Sequence, residues 1–398
     1  MLNVVVFNGG RGASTLIKEL LVRPGVSLTS IVNAYDDGKS TGEIRRFFNM
    51  LGPSDIRKVQ ELMLPMNDVD YALNLDLFQY RFRSGATRSE ALDYLKKFEL
   101  DDMPFRSRLI RTALRRFVKE FTQSLELTEK VGGQTFNFSD CSVMNCIYAG
   151  AYIASGRDFH RTIKSFENLF GLRGRVLLVN SENRILVALR ENGDVLYDEA
   201  SIVETSSQAP IERIYLLETG LKPGCLDSLS INEKRLYLSG VHAGVGSHSA
   251  TLEAIEGADV IVYAAGTPHS SLYPTYMSAG LAERIAANTN ALKVLVTNIK
   301  RDNDTSGYNA SHYVESAYRY LSINGDRANF DLLVDAALVN FPNENGVNYV
   351  SCDSPEMLKF SITRIVGEFE HAENLGAHDG AKIVERIFEL YEEKNSDF

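Results

Sequence analysis

LNVVVFNGGRGASTLIKELLV, residues 2–22, contains a strand pattern, a glycine-rich turn and a helix pattern in immediate succession. Its first six residues form a short β-branched apolar run, which is typical of a strand buried on both faces. The helix pattern starts at Ser14, a residue type that commonly caps a helix, and we expect Ser14 to do so. A strand, a glycine turn and a helix make up the first half of a βαβ unit.

The same alternation of strand and helix patterns continues along the chain. SLTSIVNAY (27–35) predicts a second strand, followed by a helix from about Glu43 and a third helical segment behind Pro53. Later strand patterns are GRVLLVN (174–180), a hairpin over 184–200 that turns at Asn192-Gly193, ADVIV (258–262) and the start of ALKVLVTNIKRD (291–302). The predicted fold class is α/β, with a Rossmann-like, doubly wound, mostly parallel sheet and a small antiparallel accessory sheet.

Two segments differ from this alternation and set the predicted domains. Residues 83–138 predict a helical insertion within a main domain of residues 1–341. Residues 342–398 predict a C-terminal extension with an amphipathic helix, whose start Asp379 would cap. His378 and Asp379 are therefore predicted to mark a helix start rather than a catalytic pair.

A basic helix is predicted inside the insertion. RSRLIRTALRRFVKEF (106–121) carries six basic residues between Arg106 and Lys119 and no acidic residue among them. Its apolar face consists of Ile110, Ala113, Leu114, Phe117, Val118 and Phe121. The ordinary interpretation is a solvated charged face, and the alternative is a surface for phosphate, nucleic acid or a membrane.

Composition excludes several classes of protein. The 398 residues carry a net charge of −10, which argues against general nucleic-acid binding. No apolar run reaches the roughly 18 residues that a membrane span needs. The four cysteines have neither CxxC nor zinc spacing. We therefore expect reduced thiols in a cytoplasmic protein without a membrane span.

YDDGKSTGEIRR (35–46) is the segment richest in candidate chemistry. An ATPase P-loop would need a glycine where the chain has Asn33, so the spacing excludes that motif. Asp36 and Asp37 follow a predicted strand at the edge where parallel sheets bind ligands. Their carboxylates suit Mg²⁺, which in turn bridges diphosphate oxygens. The alternative is a helix N-cap followed by an exposed turn.

Three further constellations have both a functional and a structural interpretation. Gly9 to Gly12 could let backbone N–H groups approach a phosphate at a helix start, or could form a tight turn. Asp55, taken alone, is expected to cap a helix. His269 could donate to a phosphate or a base, although a lone histidine is more often structural. We interpret His242 and His248 as structural.

Taken together, these motifs resemble the CofD/YvcK superfamily. The matching stretches are NGGRGASTLIKEL (8–20), YDDGKSTGEIRR (35–46), GPSDIRKV (52–59), LFQYRF (77–82), SVMNCIYAGAY (142–152), ADVIVYAAGTPHSSLYP (258–274) and NDTSGYNASHYV (303–314). The resemblance implies a Rossmann-like core that binds a nucleoside-diphosphate-linked ligand. CofD itself transfers 2-phospholactate from a guanosine diphosphate derivative to the deazaflavin Fo with Mg²⁺. The YvcK branch, which the DDGKSTG loop resembles more closely, is known as a UDP-sugar-binding regulator.

The resemblance also implies roles for individual residues. Asp36 and Asp37 would be catalytic and, with Asp55, would hold Mg²⁺. Nucleotide or phosphate contacts would come from Gly9, Gly10, Arg11, Gly12, Lys39, Ser40, Thr41, Asn145, Gly266, Thr267, His269 and Ser270. The chain departs from the family pattern at Tyr35, Lys39, Ser54, Met144 and the turn 264–267. These departures leave the base and the second substrate open.

Two functions of different classes follow from the resemblance. One is an enzyme that transfers a phosphorus-containing group, as 2-phospho-L-lactate transferase does. The other is a non-catalytic regulator that senses a UDP-sugar and engages a protein partner through residues 83–138 or the tail. Either function is compatible with a homodimer. A nicotinamide dehydrogenase is disfavoured, because the GxGxxG motif is incomplete and Asp36 lies 26 residues after Gly10 rather than about 20.

Overall fold

The computed structural model describes residues 1–205, 207, 209–322, 330–341, 348–357 and 359–396. The chain divides into two compact units. Met1–Tyr35 together with Leu177–Phe398 form the first, which we call the sheet unit. Asp36–Val176 form the second, which we call the helical unit.

A seven-stranded sheet organises the sheet unit. Its strands are β1 (Leu2–Phe7), β2 (Val26–Val32), β3 (Arg175–Leu178, at the boundary between the units), β7 (Val260–Tyr263), β8 (Leu292–Val296), β9 (Ala336–Asn340) and β10 (Thr363–Gly367). They lie in the order β10-β9-β8-β7-β1-β2-β3, and every neighbouring pair from β10 to β2 is parallel. The predicted α/β class with a mostly parallel sheet is confirmed.

Two smaller antiparallel sheets complete the strands of this unit. One contains β4 (Ile185–Arg190), β5 (Val195–Leu196) and β6 (Ile211–Leu217), and the other contains β11 (Glu370–His371) and β12 (Asn374–His378). β4 and β5 pair as the hairpin predicted for residues 184–200. The accessory antiparallel sheet is therefore confirmed as well.

The helices of the sheet unit connect these strands. They are α1 (Ser14–Val22), α9 (Glu199–Glu204), α10 (Ile231–Val241), α11 (Ser249–Glu256), α12 (Tyr273–Tyr276), α13 (Leu281–Ala287), α14 (Ala310–Leu321), α15 (Ser354–Met357) and α16 (Gly380–Ser396). A short π-helical turn, Pro268–Leu272, precedes α12.

The helical unit consists of consecutive helices. They are α2 (Lys39–Phe48), α3 (Ser54–Leu62), α4 (Tyr71–Gln79), α5 (Arg88–Glu99), α6 (Arg108–Gly132), α7 (Val143–Ala154) and α8 (Phe159–Phe170). The apolar face predicted for the basic helix is buried in α6, except that Ala113 is only partly buried. Two of its arginines, Arg111 and Arg115, pair with Asp101 at 3.2 and 3.1 Å.

Some predicted details are wrong. The second strand ends at Val32 rather than Tyr35, and the next helix begins at Lys39 rather than near Glu43. Ser14 is the first residue of α1 and makes no side-chain capping bond. Asp55 also lies inside its helix rather than at the cap, and its carboxylate pairs with Lys58 instead.

The C-terminal residues take part in the main sheet. β10 pairs in parallel with β9 and forms the edge of that sheet. Asp379 accepts a hydrogen bond from the Ala381 N–H at 3.1 Å, so the predicted helix start at α16 is confirmed. The proposed domain boundary at residue 341 stays a prediction.

The structure bears on two expectations from composition, which concern the cysteines and membrane-spanning helices. Cys141 and Cys146 are buried free thiols, Cys225 is exposed and Cys352 is half-buried. Within the residues that the structure describes, no helix is both long and apolar enough to cross a membrane.

Candidate functional site

The strand order of the main sheet reverses direction between β1 and β7. The chain moves from β1 to β2 and β3 on one side, and β7, β8, β9 and β10 extend the sheet on the other. In open α/β sheets, ligands bind at the carboxyl ends of strands on either side of such a switch point. The predicted glycine loop follows β1, and the predicted loop 264–271 follows β7.

The glycine loop packs tightly against the loop after β7. A Cβ at Gly12 would lie 2.7 Å from Gly266 Cα and 2.8 Å from the Ala265 carbonyl oxygen. A Cβ at Gly9 would lie 1.9 Å from Ser271 Cβ. These distances are too short for any side chain, so both positions require glycine for packing. Gly10 has φ of 79°, a conformation that glycine adopts readily.

Asn298, which follows β8, holds the second loop in place. Its Oδ1 accepts from the Gly266 N–H at 3.1 Å, and its Nδ2 donates to the Gly266 carbonyl at 2.8 Å. The same amide donates to Asp302 Oδ2 at 3.0 Å. One side chain therefore satisfies both backbone groups of Gly266 and fixes the loop beside Gly12.

A cavity of about 300 Å³ opens beside these loops. That volume is at the lower end of the range for small-molecule sites. Its walls come from the ends of β1, β7 and β8, the first turn of α1, and β12. The lining residues are Arg11, Gly12, Ser14, Thr15, Ala265, Gly266, Asn298, Ile299, Lys300, Asp302, Gly376, Ala377 and His378.

His378 is held as a neutral side chain in this lining. Its Nε2 lies 3.0 Å from the Thr297 carbonyl, which can only accept, so Nε2 carries the hydrogen. Burial lowers the pKa of His378 to about 4. The cavity therefore contains an uncharged imidazole at neutral pH.

His269, one of the residues predicted to contact a nucleotide, is almost completely buried. It is 1% exposed, and its backbone N–H donates to Asp304 Oδ2 at 2.9 Å. The ring Nδ1 lies 3.4 Å from the same carboxylate oxygen, and Nε2 lies 3.3 Å from the Tyr308 hydroxyl. These contacts are those of a structural histidine, and its ligand contact stays a prediction.

Neighbouring predicted residues are also engaged within the loop. Ser270 is buried, and its Oγ lies 3.4 Å from Ser271 Oγ. The Thr267 carbonyl accepts from the Ser271 N–H at 2.9 Å, within the π-helical turn. Thr267 is half-buried and closer to solvent than Ser270.

A second group of predicted residues lies in the helical unit. Asp36 Oδ1 accepts from the Gly38 N–H at 3.0 Å, directly before α2. Asp36 Oδ2 lies 3.7 Å from Lys58 Nζ, and Asp55 Oδ1 lies 2.9 Å from the same nitrogen. Burial raises the pKa of Asp55, an effect that Lys58 opposes. The Asp55 carboxylate in turn raises the pKa of Lys58, which keeps this lysine charged.

Asp37 lies against the first turn of α2. A Cβ at Gly42 would lie 2.3 Å from the Asp37 carbonyl oxygen, which explains the last glycine of the DDGKSTG motif as a packing requirement. Asp37 Oδ1 lies 3.9 Å from Arg45 Nη1 and 3.7 Å from Arg46 Nη1. The buried Arg45 also donates to the Asp36 carbonyl at 3.2 Å.

Ser40, Thr41 and Asn145 lie together in the helical unit. Asn145 Nδ2 donates to Ser40 Oγ at 3.0 Å and lies 3.5 Å from Thr41 Oγ1. The Ser142 N–H also donates to Ser40 Oγ, at 3.3 Å. Among the described residues, the Ser142 hydroxyl and Asn145 Oδ1 find no hydrogen-bond partner, and both are buried. The prediction for the Lys39 side chain lies outside the described part of the chain.

At the predicted Mg²⁺ site, the structure places a pair of carboxylates rather than a complete set of metal ligands. Within the described ranges, no three His, Cys, Asp or Glu side chains are grouped closely enough to hold a metal. Mg²⁺ in nucleotide sites is commonly bound by one or two carboxylates and completed by substrate phosphates and waters. Asp36 and Asp55 fit that mode, with the Lys58 ammonium already neutralising part of their charge.

Several site residues were not singled out from the sequence. They are Arg45, Lys58, Asn298, Lys300 and Asp302. The sequence could have indicated Lys58, because Lys58 lies three residues after Asp55 on a helix and residues at this spacing are neighbours. Asn298 and Lys300 lie in the polar end of the segment 291–302, which starts with a predicted strand. His378 is predicted only as part of a helix start, and its place in the cavity lining is not, since its proximity to β8 depends on the C-terminal fold.

Comparisons with known proteins identify the family. The sequence pattern of the family described as 2-phospho-L-lactate transferase CofD matches residues 4–365. A gluconeogenesis factor from Halalkalibacterium halodurans is 28% identical over 315 residues, covering 79% of this chain and 72% of that protein. A gluconeogenesis factor from Listeria innocua is 25% identical over 405 aligned residues, covering 99% and 97%.

The fold is shared with a solved structure. A protein from Bacillus halodurans aligns with a TM-score of 0.68 and 25% identity, covering 97% of this chain and 99% of that one. The family pattern also spans far more than half of the sequence. The chain belongs to the 2-phospho-L-lactate transferase CofD family.

Proposed function

We propose that this protein binds a nucleoside-diphosphate-linked small molecule, such as a UDP-sugar or a guanosine diphosphate conjugate. The observation that carries the proposal is the cavity at the carboxyl ends of β1, β7 and β8, which the glycine loop lines. Family membership supports the same class of ligand. Failure of every nucleoside diphosphate to bind would overturn the proposal.

In the sheet unit, the proposed role of the glycine loop is to hold phosphate. The α1 helix starts at Ser14 without a side-chain cap, and the Ser14 N–H donates to the Arg11 carbonyl of the glycine loop at 3.0 Å. Helix starts of this kind attract anions through their N–H groups and the helix dipole. Gly12 and Gly266 leave the cavity wall free of side chains at that point.

In the helical unit, Asp36, Asp37 and Asp55 are the proposed metal and catalytic carboxylates. Asp36 and Asp55 would hold Mg²⁺, which supplies positive charge to phosphate oxygens when bound. Gly38 orients Asp36, and Arg45 braces its backbone. Lys58 holds Asp36 and Asp55 near each other and stays protonated.

Two proposed functions share this ligand class. The family description supports an enzyme that transfers a phosphorus-containing group, a reaction for which positioning and electrostatic stabilisation supply most of the catalysis. The two bacterial relatives are named gluconeogenesis factors, and these names support a role in carbon metabolism. The second proposed function is accordingly a non-catalytic regulator of carbon or cell-wall metabolism, for which we propose a UDP-sugar as the ligand and a protein as the partner. Residues 83–138 are the proposed partner surface.

A thermal-unfolding panel tests the ligand class. The panel contains UDP-N-acetylglucosamine, UDP-glucose, GDP, GTP, Fo and NADH, each with and without Mg²⁺. A ligand at 100 times its dissociation constant should stabilise the fold by about 2.7 kcal/mol. A response to uridine ligands alone favours the regulator. A Mg²⁺-dependent guanosine response, especially with Fo, favours the transferase.

The carboxylates are tested by substitution. We expect Asp36→Asn and Asp37→Asn each to weaken Mg²⁺-dependent ligand binding at least tenfold, because both remove negative charge while keeping the side-chain size. Asp93→Asn, in the exposed part of α5, is the matched control and should bind as the wild type does. Unchanged affinity in both loop variants would contradict the proposed role of this loop. Titration calorimetry with the ligand from the panel provides the measurement.

A further inference from the structure

The β11–β12 hairpin forms one wall of the cavity at the switch point. Gly376, Ala377 and His378 all line it. These residues follow position 365, where the match to the family pattern ends. The cavity is therefore built partly from a segment that the family pattern does not include.

The hairpin is fixed to the rest of the sheet unit. His378 donates from Nε2 to the Thr297 carbonyl at 3.0 Å, next to the end of β8. Glu370 accepts from the Tyr349 hydroxyl at 2.8 Å and also from the Gly376 N–H. The wall is thus held by hydrogen bonds at both of its ends.

Lys300 crosses this wall at a position that requires glycine. A Cβ at Gly376 would lie 1.6 Å from Lys300 Cε and 2.2 Å from Cδ. Gly376 also has φ of 82°, which is the left-handed region. The lysine stem lies directly on the hairpin backbone, and Nζ donates to the Leu375 carbonyl at 2.5 Å.

One hydrogen bond leaves most of the ammonium group available. A lysine ammonium has three donors, and the Leu375 carbonyl takes one of them. Lys300 is half-buried and borders the cavity. A cation held in this way loses little conformational freedom when it binds an anion, which favours affinity.

We propose that Lys300 contacts a phosphate of the bound ligand, and that the β11–β12 hairpin sets its position. This inference rests on the proposed function, because it assumes a phosphorylated ligand in this cavity. Lys300 then discriminates nucleoside diphosphates from nucleosides. A structural role would instead confine Lys300 to fastening the hairpin.

Two substitutions separate the effect of the Lys300 charge from its role in fastening the β11–β12 hairpin. Lys300→Met keeps the length of the stem and removes the charge. Lys300→Gln also removes the charge but keeps an N–H that can donate to a carbonyl. Lys382→Met is the matched control, because Lys382 is exposed and donates to the Glu370 carbonyl of the same hairpin at 3.4 Å without lining the cavity.

The experiment measures binding of UDP, GDP and uridine to each full-length variant by calorimetry at two salt concentrations. We expect both Lys300 variants to lose about tenfold or more in affinity for the diphosphate that the wild type binds, as for a charged hydrogen bond. Their affinity should also depend less on salt. Lys382→Met should match the wild type, and uridine binding should change in none.

The outcomes distinguish this inference from the proposed function. If the wild type binds neither diphosphate, the proposed function itself fails. If the wild type binds a diphosphate and Lys300→Gln retains that affinity, the inference about Lys300 is wrong while the proposed function stands. If Lys300→Met does not fold, Lys300→Gln alone decides.

Discussion

At the scale of single residues, the predicted ligand contacts of the helical unit are already hydrogen-bonded to one another. Ser40 accepts from Asn145 at 3.0 Å and from the Ser142 backbone at 3.3 Å. Within the part of the chain that the structure describes, Asn145 Oδ1 and the Ser142 hydroxyl are buried without a hydrogen-bond partner. A buried polar atom without a partner is unfavourable. A hydrogen bond with a ligand or a water would therefore be most favourable at these two atoms.

We predict that His378 makes the stability of the protein depend on pH between about 6.5 and 4. Burial lowers its pKa in the folded chain to about 4, whereas an unfolded histidine titrates near 6.5. The unfolded state therefore binds more protons in this interval, and folding stability falls as the pH is lowered through it. The loss levels off below pH 4 and amounts to at most about 3 kcal/mol.

Urea unfolding of the ligand-free protein at several pH values checks this prediction. The His378→Gln variant keeps an N–H that can donate and has no titrating ring, so its stability should fall less between pH 6.5 and 4. Identical pH profiles for the two proteins would contradict the assignment.

The sequence predicts some residues of the candidate site, but not the partners that hold them. Gly12 is predicted as a phosphate-binding position and is required where two backbone segments meet, and Gly42, for which no ligand contact is predicted, is required for the same reason. Lys58 lies three residues after one partner, Asp55, but its contact with Asp36, like that of Asn298 with Gly266, joins residues that are distant in sequence. Contacts of this kind depend on the folded backbone, which residue type and local spacing do not encode.

At the scale of elements, the contact between α6 and α7 is unusually close. A Cβ at Gly150 of α7 would lie 1.8 Å from the Phe117 carbonyl oxygen of α6. That atom belongs to the backbone, so a rotamer change cannot relieve the overlap. Gly150 therefore sets the distance at which the long basic helix packs.

We predict opposite effects for two Gly→Ala substitutions in these helices. Gly150→Ala should lower the free energy of unfolding by about 2–3 kcal/mol or more, through overpacking. Gly132→Ala, at the end of α6 with open space around it, should be neutral or stabilising by up to about 1 kcal/mol. Urea midpoints of both variants give the comparison. Equal midpoints would show that α6 and α7 can separate without loss.

Element types were predicted better than element ends. β1 and α1 have the predicted bounds, because an apolar run and a glycine turn delimit them clearly. The predicted end of β2 is three residues too late. Asn33, Ala34 and Tyr35 continue the strand pattern and are buried, but they lie in a loop. The edge strand β10 was missed, since it is largely solvent-exposed and lacks a continuous apolar pattern.

At the scale of the whole molecule, the helical unit is continuous in sequence and has its own core. Phe121 and Phe136 pack with ring centroids 5.9 Å apart, and Tyr148 stacks on Phe166 at 4.1 Å. The unit runs from Asp36 to Val176 without interruption. A segment with a core of its own can fold without the rest of the chain.

We predict that a fragment of residues 36–176 folds by itself. It should show a helical far-ultraviolet circular dichroism spectrum and a cooperative thermal transition. A shorter fragment of residues 83–138 lacks α7, against which α6 packs, and should unfold without cooperativity. A non-cooperative transition in the longer fragment would show that its core needs the remainder of the chain.

The packing of α16 on α1 has a consequence for the order in which the protein is made. α1 is synthesised long before α16, yet the backbone at Gly380 lies against Thr15. The ribosome must therefore synthesise every residue between these two helices before the β1–turn–α1 element is fully covered. The helical unit emerges complete long before that, so its helices can assemble during translation while β1 and β2 wait for strands still to be made.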